Sequence, residues 1–320
     1  MKYYLGIDLG GTNIVAGVVN EKFEIVARAK RKTALPRSCD EITADMADAA
    51  KEAAQAAGLQ MSDFDYLGLG CPGMIDYRRG EVVYSNNLEF YHEPLGSKLS
   101  ALVGIPVLMA NDADSAAFGE FKAGAGRGSE NMVAITLGTG VGSGIVIRSK
   151  LYSGFAFGGA EFGHSLLVKD GVQCTCGRRG CLEAYASATG LIRMTREEMQ
   201  AYPESGMWQI AGGLDGVDGR TAFDGMRQGD AAGQRVVDRY IDYLAEGVVN
   251  IVNILQPEII CIGGGISKEG ELLLAPIRQR IARDAFSRFA DRSTEVRIAE
   301  LGNDAGVIGA ALLEDALDLR

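Results

Sequence analysis

Short apolar runs bounded by glycine, proline or polar residues alternate along this chain with longer segments of helical period. Tyr3 to Asp8 reads as a strand. Ile14 to Val19 and Phe23 to Ala29 read as two more, joined tightly at Asn20-Glu21. Ser38-Cys-Asp-Glu41 has the form of a capping box. It opens an alanine-rich helix to about Ala57, stopped by Gly58. A buried strand at Tyr66 to Leu69 follows, then a helix at Pro94 to Val103 and a strand at Pro106 to Ala110. The next helix starts at Ala113 and runs to about Lys122. Past the middle, Ala184 to Met194 predicts a helix. Ala231 to Leu255 predicts a longer one, with apolar positions at Val236, Val237, Tyr240, Leu244, Val248, Ile251, Val252 and Leu255 before Pro257 closes it. Ile259 to Ile262 is a buried strand, Leu272 to Phe289 a helix, Glu295 to Ile298 a strand and Ala305 to Leu317 a last helix. Thr195 to Asp230 is mixed, and its Trp208 reads as packing.

One stretch of the pattern occurs twice. Leu5-Gly-Ile7-Asp8-Leu9-Gly10 is answered by Ala134-Ile135-Thr136-Leu137-Gly138, and each is followed by a glycine-dotted apolar strand. The echo predicts two similar α/β halves facing each other across a cleft. The turns are Asp8-Leu-Gly10-Gly11-Thr12-Asn13 and Leu137-Gly138-Thr139-Gly140. Taken alone, Gly10-Gly11-Thr12 is a weak signal and is better read as a plain hairpin turn. Paired, their backbone N–H groups could grip one phosphate chain. Asp8, at a strand end, could hold Mg²⁺ directly or through water. Asn111-Asp112 lies between a strand and a helix, where α/β proteins place catalytic groups, but Asp112 could equally be a helix N-cap. Gly263-Gly264-Gly265 fits backbone passing over a nucleotide, or a simple strand-to-helix turn. Asn86 and Asn87 read as Asx turns, and Cys71 as a small buried residue.

The chemistry concentrates between Glu161 and Glu183. Three of the chain's six cysteines and one of its two histidines fall there: His164, Cys174, Cys176 and Cys181. Thiolates with an imidazole suit Zn²⁺ in a closed structural site; the alternative is a set of buried free thiols. Glu161 and Glu183 flank this knot, either as solvated charges or as paired acceptors for a polyhydroxyl ligand. A net charge of −10 argues against nucleic acid held by bulk electrostatics. No apolar run reaches the roughly 18 residues of a membrane span. With the glycine motif so near Met1, no signal peptide is expected, and reduced thiols with a metal site fit the cytoplasm.

Together these residues resemble the ROK family (repressor, open reading frame, kinase), and most closely its bacterial glucokinases. The match runs over essentially the whole chain: Asp8-Leu-Gly-Gly-Thr12, Cys71-Pro-Gly73, Asn87-Leu88, Asn111-Asp112, Leu137-Gly-Thr-Gly140, Glu161-x-Gly-His164, the cysteine knot and Gly263-Gly-Gly265. The Glu-x-Gly-His element with the knot is its most specific part. The resemblance implies an actin-like ATPase (ribonuclease H-like) fold: two α/β domains, an interdomain cleft and a structural zinc site. The smaller domain would take residues 1–112 and 305–320, the larger 113–304. It implies ATP-dependent phosphorylation of a hexose, usually glucose at its 6-hydroxyl, with ATP and Mg²⁺, in a homodimer. Asp112 would be the general base. Asn111, Glu161, His164 and Glu183 would be sugar ligands, with Gly73 and Asn87 lining the pocket. Asp8, Gly10, Gly11, Thr12, Asn13, Gly138, Thr139, Gly140, Gly264 and Gly265 would meet ATP. His164 would use one ring nitrogen for zinc and the other for sugar.

One departure stands out. Phe90 occupies the place where these glucokinases often carry Trp. The rivals are a kinase for another hexose (fructose, mannose, allose or an N-acetylhexosamine) and a sugar-sensing repressor. The repressors place a helix-turn-helix before the first glycine motif, which here begins within the first ten residues.

Overall fold

The computed structural model describes residues 2–318, which form two compact units. One holds the chain up to Ala134, Gly144–Ala160 and everything from Glu300 on; the other holds Ile135–Ser143 and Glu161–Ala299. In chain order the first unit opens with β1 (Tyr3–Leu9), β2 (Asn13–Asn20), β3 (Ile25–Lys32), α1 (Cys39–Ala56) and β4 (Leu67–Cys71). β5 (Met74–Asp76), β6 (Glu81–Ser85), β7 (Phe90–Glu93), α2 (Leu95–Val103), β8 (Val107–Asn111) and α3 (Asp112–Ala123) follow. β9 (Met132–Leu137) and β10 (Val141–Ile147) run between residues of both units, and β11 (Lys150–Leu151) follows them. The second unit continues with α4 (Glu183–Ala186), α5 (Ala188–Ala201), α6 (Met207–Ala211), α7 (Thr221–Arg227), α8 (Ala231–Leu255), β12 (Ile259–Gly264), α9 (Glu271–Asp284) and β13 (Glu295–Ile298). α10 (Ala305–Ala311) and α11 (Leu313–Ala316) belong to the first unit.

Two five-stranded sheets repeat one plan. The first runs β3-β2-β1-β4-β8 and the second β11-β10-β9-β12-β13, so each half orders its strands 3-2-1-4-5. In the first, β1, β2 and β3 pair antiparallel, whereas β1, β4 and β8 pair parallel. In the second, β10 and β11 are antiparallel and β12 and β13 parallel. This duplicated order is that of the actin-like ATPase fold implied by the sequence. A small antiparallel sheet, β5-β6-β7, is added to the first half.

The polarity of each strand follows its position. β1 is central, and Leu5, Ile7 and Leu9 are fully buried. β3 lies at the edge, where Arg28, Lys30 and Arg31 blunt it against pairing with another chain. α1 is opened by the expected capping box: the Ser38 N–H donates to Glu41 Oε2 at 2.9 Å and the Glu41 N–H to Ser38 Oγ at 3.4 Å. α10 is buried along its whole length and lies directly on β1 and β4. A Cβ at Gly6 or Gly68 would run into the backbone of Val307 or Ala310, so only glycine lets the helix come this close. α8 has the bounds its periodicity predicts, with Tyr240 fully buried and its hydroxyl donating to Ala186 O at 2.8 Å.

Three expected helices differ. The one at Ala184 to Met194 is broken at Ser187, which leaves helical geometry and accepts the Gly190 N–H at 3.0 Å as the N-cap of α5. The one at Leu272 to Phe289 stops at Asp284, because Ala285 is extended and the Phe286 N–H turns to Asn253 Oδ1. The last helix breaks at Leu312. The boundary expected after Asp112 falls at the start of α3, which packs on α10 within the first unit.

Candidate active site

In the first unit, parallel register gathers the polar residues at one edge of the sheet. Asp8 of β1 lies opposite Gly70 of β4, Gly70 opposite Ala110 of β8, and Cys71 opposite Asn111. The strands therefore end together, with Asp8, Asn111 and Asp112 at their carboxyl ends. Asn111, not Asp112, is the N-cap of α3. Its Oδ1 accepts the N–H groups of Ala113 at 2.7 Å and Asp114 at 3.3 Å, and its Nδ2 donates to Gly73 O at 2.9 Å. Asp112 is the first helical residue, with Oδ1 3.0 Å from the Ala113 N–H. Burial raises its pKa above the usual carboxylate value. Asp8 is pushed up to about 6, first by burial and then by the charge of Asp112. Two partly buried carboxylates that repel one another at a sheet end form a site suited to proton transfer or to a divalent cation.

The first glycine turn is tied down beside them. The Gly10 N–H donates to Asn13 O at 2.8 Å, the Thr33 hydroxyl to Gly10 O at 2.6 Å, and the Thr33 N–H to Thr12 O at 3.0 Å. Gly11 and Thr12 are exposed, and Asn13 Oδ1 is a buried acceptor with no partner among the described residues. Asn87 is exposed in the turn between β6 and β7. Phe90 is buried in the core of this unit.

In the second unit, Glu161 is exposed and precedes a 3-10 turn, Phe162–His164, whose first N–H donates to Ser143 Oγ at 3.0 Å. The ligand atoms of His164, Cys174, Cys176 and Cys181 all lie within 4.8 Å of one another. Cys176 and Cys181 sulfurs are 3.7 Å apart, and His164 Nδ1 is 3.7 Å from Cys174 Sγ. Zinc–sulfur bonds of about 2.3 Å at tetrahedral angles separate two thiolates by about 3.8 Å, so this donor set is consistent with a zinc site. Burial and then the neighbouring sulfurs push Cys181 up to about 12, and a bound cation would offset that cost.

Glu183 opens α4 and bridges two loops. Its Oε2 accepts the Val141 N–H at 3.0 Å, and its Oε1 accepts the Thr175 hydroxyl at 3.0 Å. The same carboxylate therefore ties the knot to the second glycine turn. From the sequence Glu183 reads only as a flanking charge or a sugar ligand; a bond to a backbone N–H leaves no mark there. Gly138, Thr139 and Gly140 form that turn, closed by the Gly138 N–H on Gly140 O at 3.0 Å. Gly264 ends β12 with φ +90 and lies so near the Leu137 backbone that a Cβ would collide with it. Gly264 and Gly265 are exposed in a strand-to-helix turn, with the Ser267 hydroxyl on Gly264 O at 2.8 Å. Trp208 is a packing residue, its indole N–H donating to Met199 O at 3.0 Å. No helix among the described residues is long and apolar enough to cross a membrane.

Residues 4–316 match the model of the ROK family, and the chain belongs to that family. It is 38% identical to a glucokinase of Thermotoga maritima, over 96% of this chain and 95% of that one. It is 40% identical to a glucokinase of Halalkalibacterium halodurans, over 98% and 94%. Among solved structures it resembles a ROK family glucokinase from Streptomyces griseus in complex with glucose and AMPPNP. That likeness has a TM-score of 0.78 at 36% identity and covers 97% of this chain and 98% of the other.

Proposed function

We propose that this ROK protein is an ATP-dependent sugar kinase that transfers the γ-phosphoryl group of ATP to the 6-hydroxyl of glucose. The observation that carries the proposal is Asp112. It follows β8 as the first residue of α3 with a raised pKa, while Asn111 does the capping that would otherwise account for it. The glucokinases among its relatives, and the glucose and AMPPNP held by the Streptomyces griseus enzyme, support the choice of substrates.

In this proposal Asp112 accepts the proton of the 6-hydroxyl as its oxygen attacks the γ-phosphorus and the bond to the β-phosphate oxygen breaks, releasing ADP. Such a base contributes about 10²–10⁴-fold. Asn111, Glu161, His164 and Glu183 hold the sugar hydroxyls, with Gly73 and Asn87 lining the pocket. The turns at Asp8 to Asn13 and at Gly138 to Gly140 offer backbone donors to the phosphates, and Gly264 and Gly265 border the nucleotide. Asp8 would hold Mg²⁺, which neutralises phosphate charge; a cation there also relieves the repulsion between Asp8 and Asp112. His164, Cys174, Cys176 and Cys181 would hold zinc, which fixes the loop carrying Glu183. Nδ1 of His164 faces the cysteines, which leaves Nε2 for a sugar hydroxyl.

A panel of hexoses in a coupled assay for ADP tests this. Glucose is expected to give the highest kcat/KM. A higher value for fructose, mannose, allose or an N-acetylhexosamine would reassign the substrate, and sugar binding without turnover would make the chain a sensor.

A further inference from the structure

The second glycine turn is aimed by the helix that follows the cysteine knot. Gly138 O accepts the Ala188 N–H at 2.8 Å, and Thr139 O accepts the Thr189 hydroxyl at 2.8 Å. Ala188 and Thr189 are the first two residues of α5. The first N–H groups of a helix have no partner within it. Ser187 satisfies the one at Gly190, and the one at Ala188 is spent on the turn.

The consequence is geometric. In a planar trans peptide the C=O and the following N–H point in opposite directions. Tying back the carbonyls of Gly138 and Thr139 turns the N–H groups of Thr139 and Gly140 away from α5. Those two groups make no hydrogen bond within the described residues, while the neighbouring N–H groups are used, Gly138 on Gly140 O and Val141 on Glu183. The turn thus holds two free donors between two occupied ones.

We infer that Thr189 is a positioning residue for nucleotide binding, fixing the Thr139–Gly140 peptide so that its N–H meets a phosphate oxygen. The inference rests on the proposal that this turn grips ATP. Thr189 is exposed, so changing it opens no cavity in the core.

Two variants and one exchange measurement test it. Thr189→Val removes the donor and keeps the branched shape; Thr189→Ser keeps the donor. Losing one hydrogen bond that orients a binding group is expected to raise the KM for ATP about 3–10-fold, with the KM for glucose unchanged and Thr189→Ser close to wild type. An unchanged KM for ATP in Thr189→Val, or an equal loss in Thr189→Ser, overturns the inference. Amide hydrogen exchange of the 137–141 peptide, with and without Mg²⁺–AMPPNP, separates it from the proposal beneath. The nucleotide should slow exchange in wild type and less so in Thr189→Val. Equal protection in both defeats the role of Thr189 alone. No protection in wild type removes the turn from the phosphate site, and the inference with it.

Discussion

The two five-stranded sheets share one strand order and differ in what their glycine turns hold. In the first, the strand before the turn carries Asp8, and the fifth strand delivers Asp112, so two carboxylates share a partly buried edge. In the second, the position matching Asp8 is Thr136, and the turn is fastened by Glu183 to the cysteine loop. A duplicated scaffold has thus been divided. One half accepts the cost of burying charge, which in the proposed reaction would tune a carboxylate for proton transfer. The other spends its polar groups on holding backbone still. The proposed phosphoryl transfer needs both, and each half can be broken separately.

The largest effect is expected from Asp112→Asn. Asn111 caps α3, so the variant should fold and bind glucose, yet kcat should fall on the order of 10²-fold or more. The proton acceptor works only when ionised, so wild-type kcat should fall as pH drops through a pKa above the usual carboxylate value. A coupled assay beside glucose calorimetry on one preparation is the measurement. Turnover within a few-fold of wild type, with glucose bound, defeats the base.

The second half is tested through the zinc that its cysteine cluster is expected to hold. One zinc per chain is expected by elemental analysis of protein purified without added metal. Cys174→Ser should lose that zinc and weaken sugar binding about 10–100-fold, because the cluster fixes His164 and the loop on Glu183. Ordinary glucose affinity without zinc would uncouple the knot from the site. A smaller effect is expected from Gly140→Val, whose Cβ would meet the Glu183 carboxylate. It should raise the KM for ATP on the order of 10-fold, well beyond any change for glucose. An equal rise for glucose would show that Glu183, rather than the turn, carries the loss.

The ease with which these parts can be read from sequence follows the same division. α8 has a clear apolar period over seven turns, and its bounds match expectation. The cysteine knot is local in sequence, so its four clustered donors can be named from the residue types and their closeness along the chain. The duplicated sheets show as an echo of glycine and apolar residues. The break at Ser187 does not show, since one serine in an alanine-rich run is as good a helix residue as a cap until packing decides. The cap of α3 is ambiguous in the sequence for a related reason: asparagine and aspartate cap about equally well, and only the fold gives the task to Asn111. The ties on Gly138 and Thr139 run to residues about fifty positions away, and no local pattern carries that distance.

The finest test of the comparison is the cost of burying Asp8. Its pKa is pushed up to about 6 in the folded protein, against 3.8 for an ordinary aspartate, by burial and by Asp112. The folded state therefore holds a proton that the unfolded state has released between those values. The group favours the folded state fully below pH of about 4, and that advantage is lost as pH rises through about 6. A shift of about two units corresponds to at most about 3 kcal/mol, and partial exposure brings the expectation to about 1–2 kcal/mol. Asp8→Asn should therefore be more stable than wild type by about that amount at pH 7.5 in magnesium-free buffer, and no more stable near pH 4. Adding Mg²⁺ should close the gap at pH 7.5, because a cation beside Asp8 supplies to wild type what the substitution supplies to the variant. Denaturant unfolding at the two pH values measures the difference. An advantage that does not change with pH would show that Asp8 carries no buried-charge penalty, and the contrast with the neutral Thr136 of the second sheet would lose its electrostatic basis.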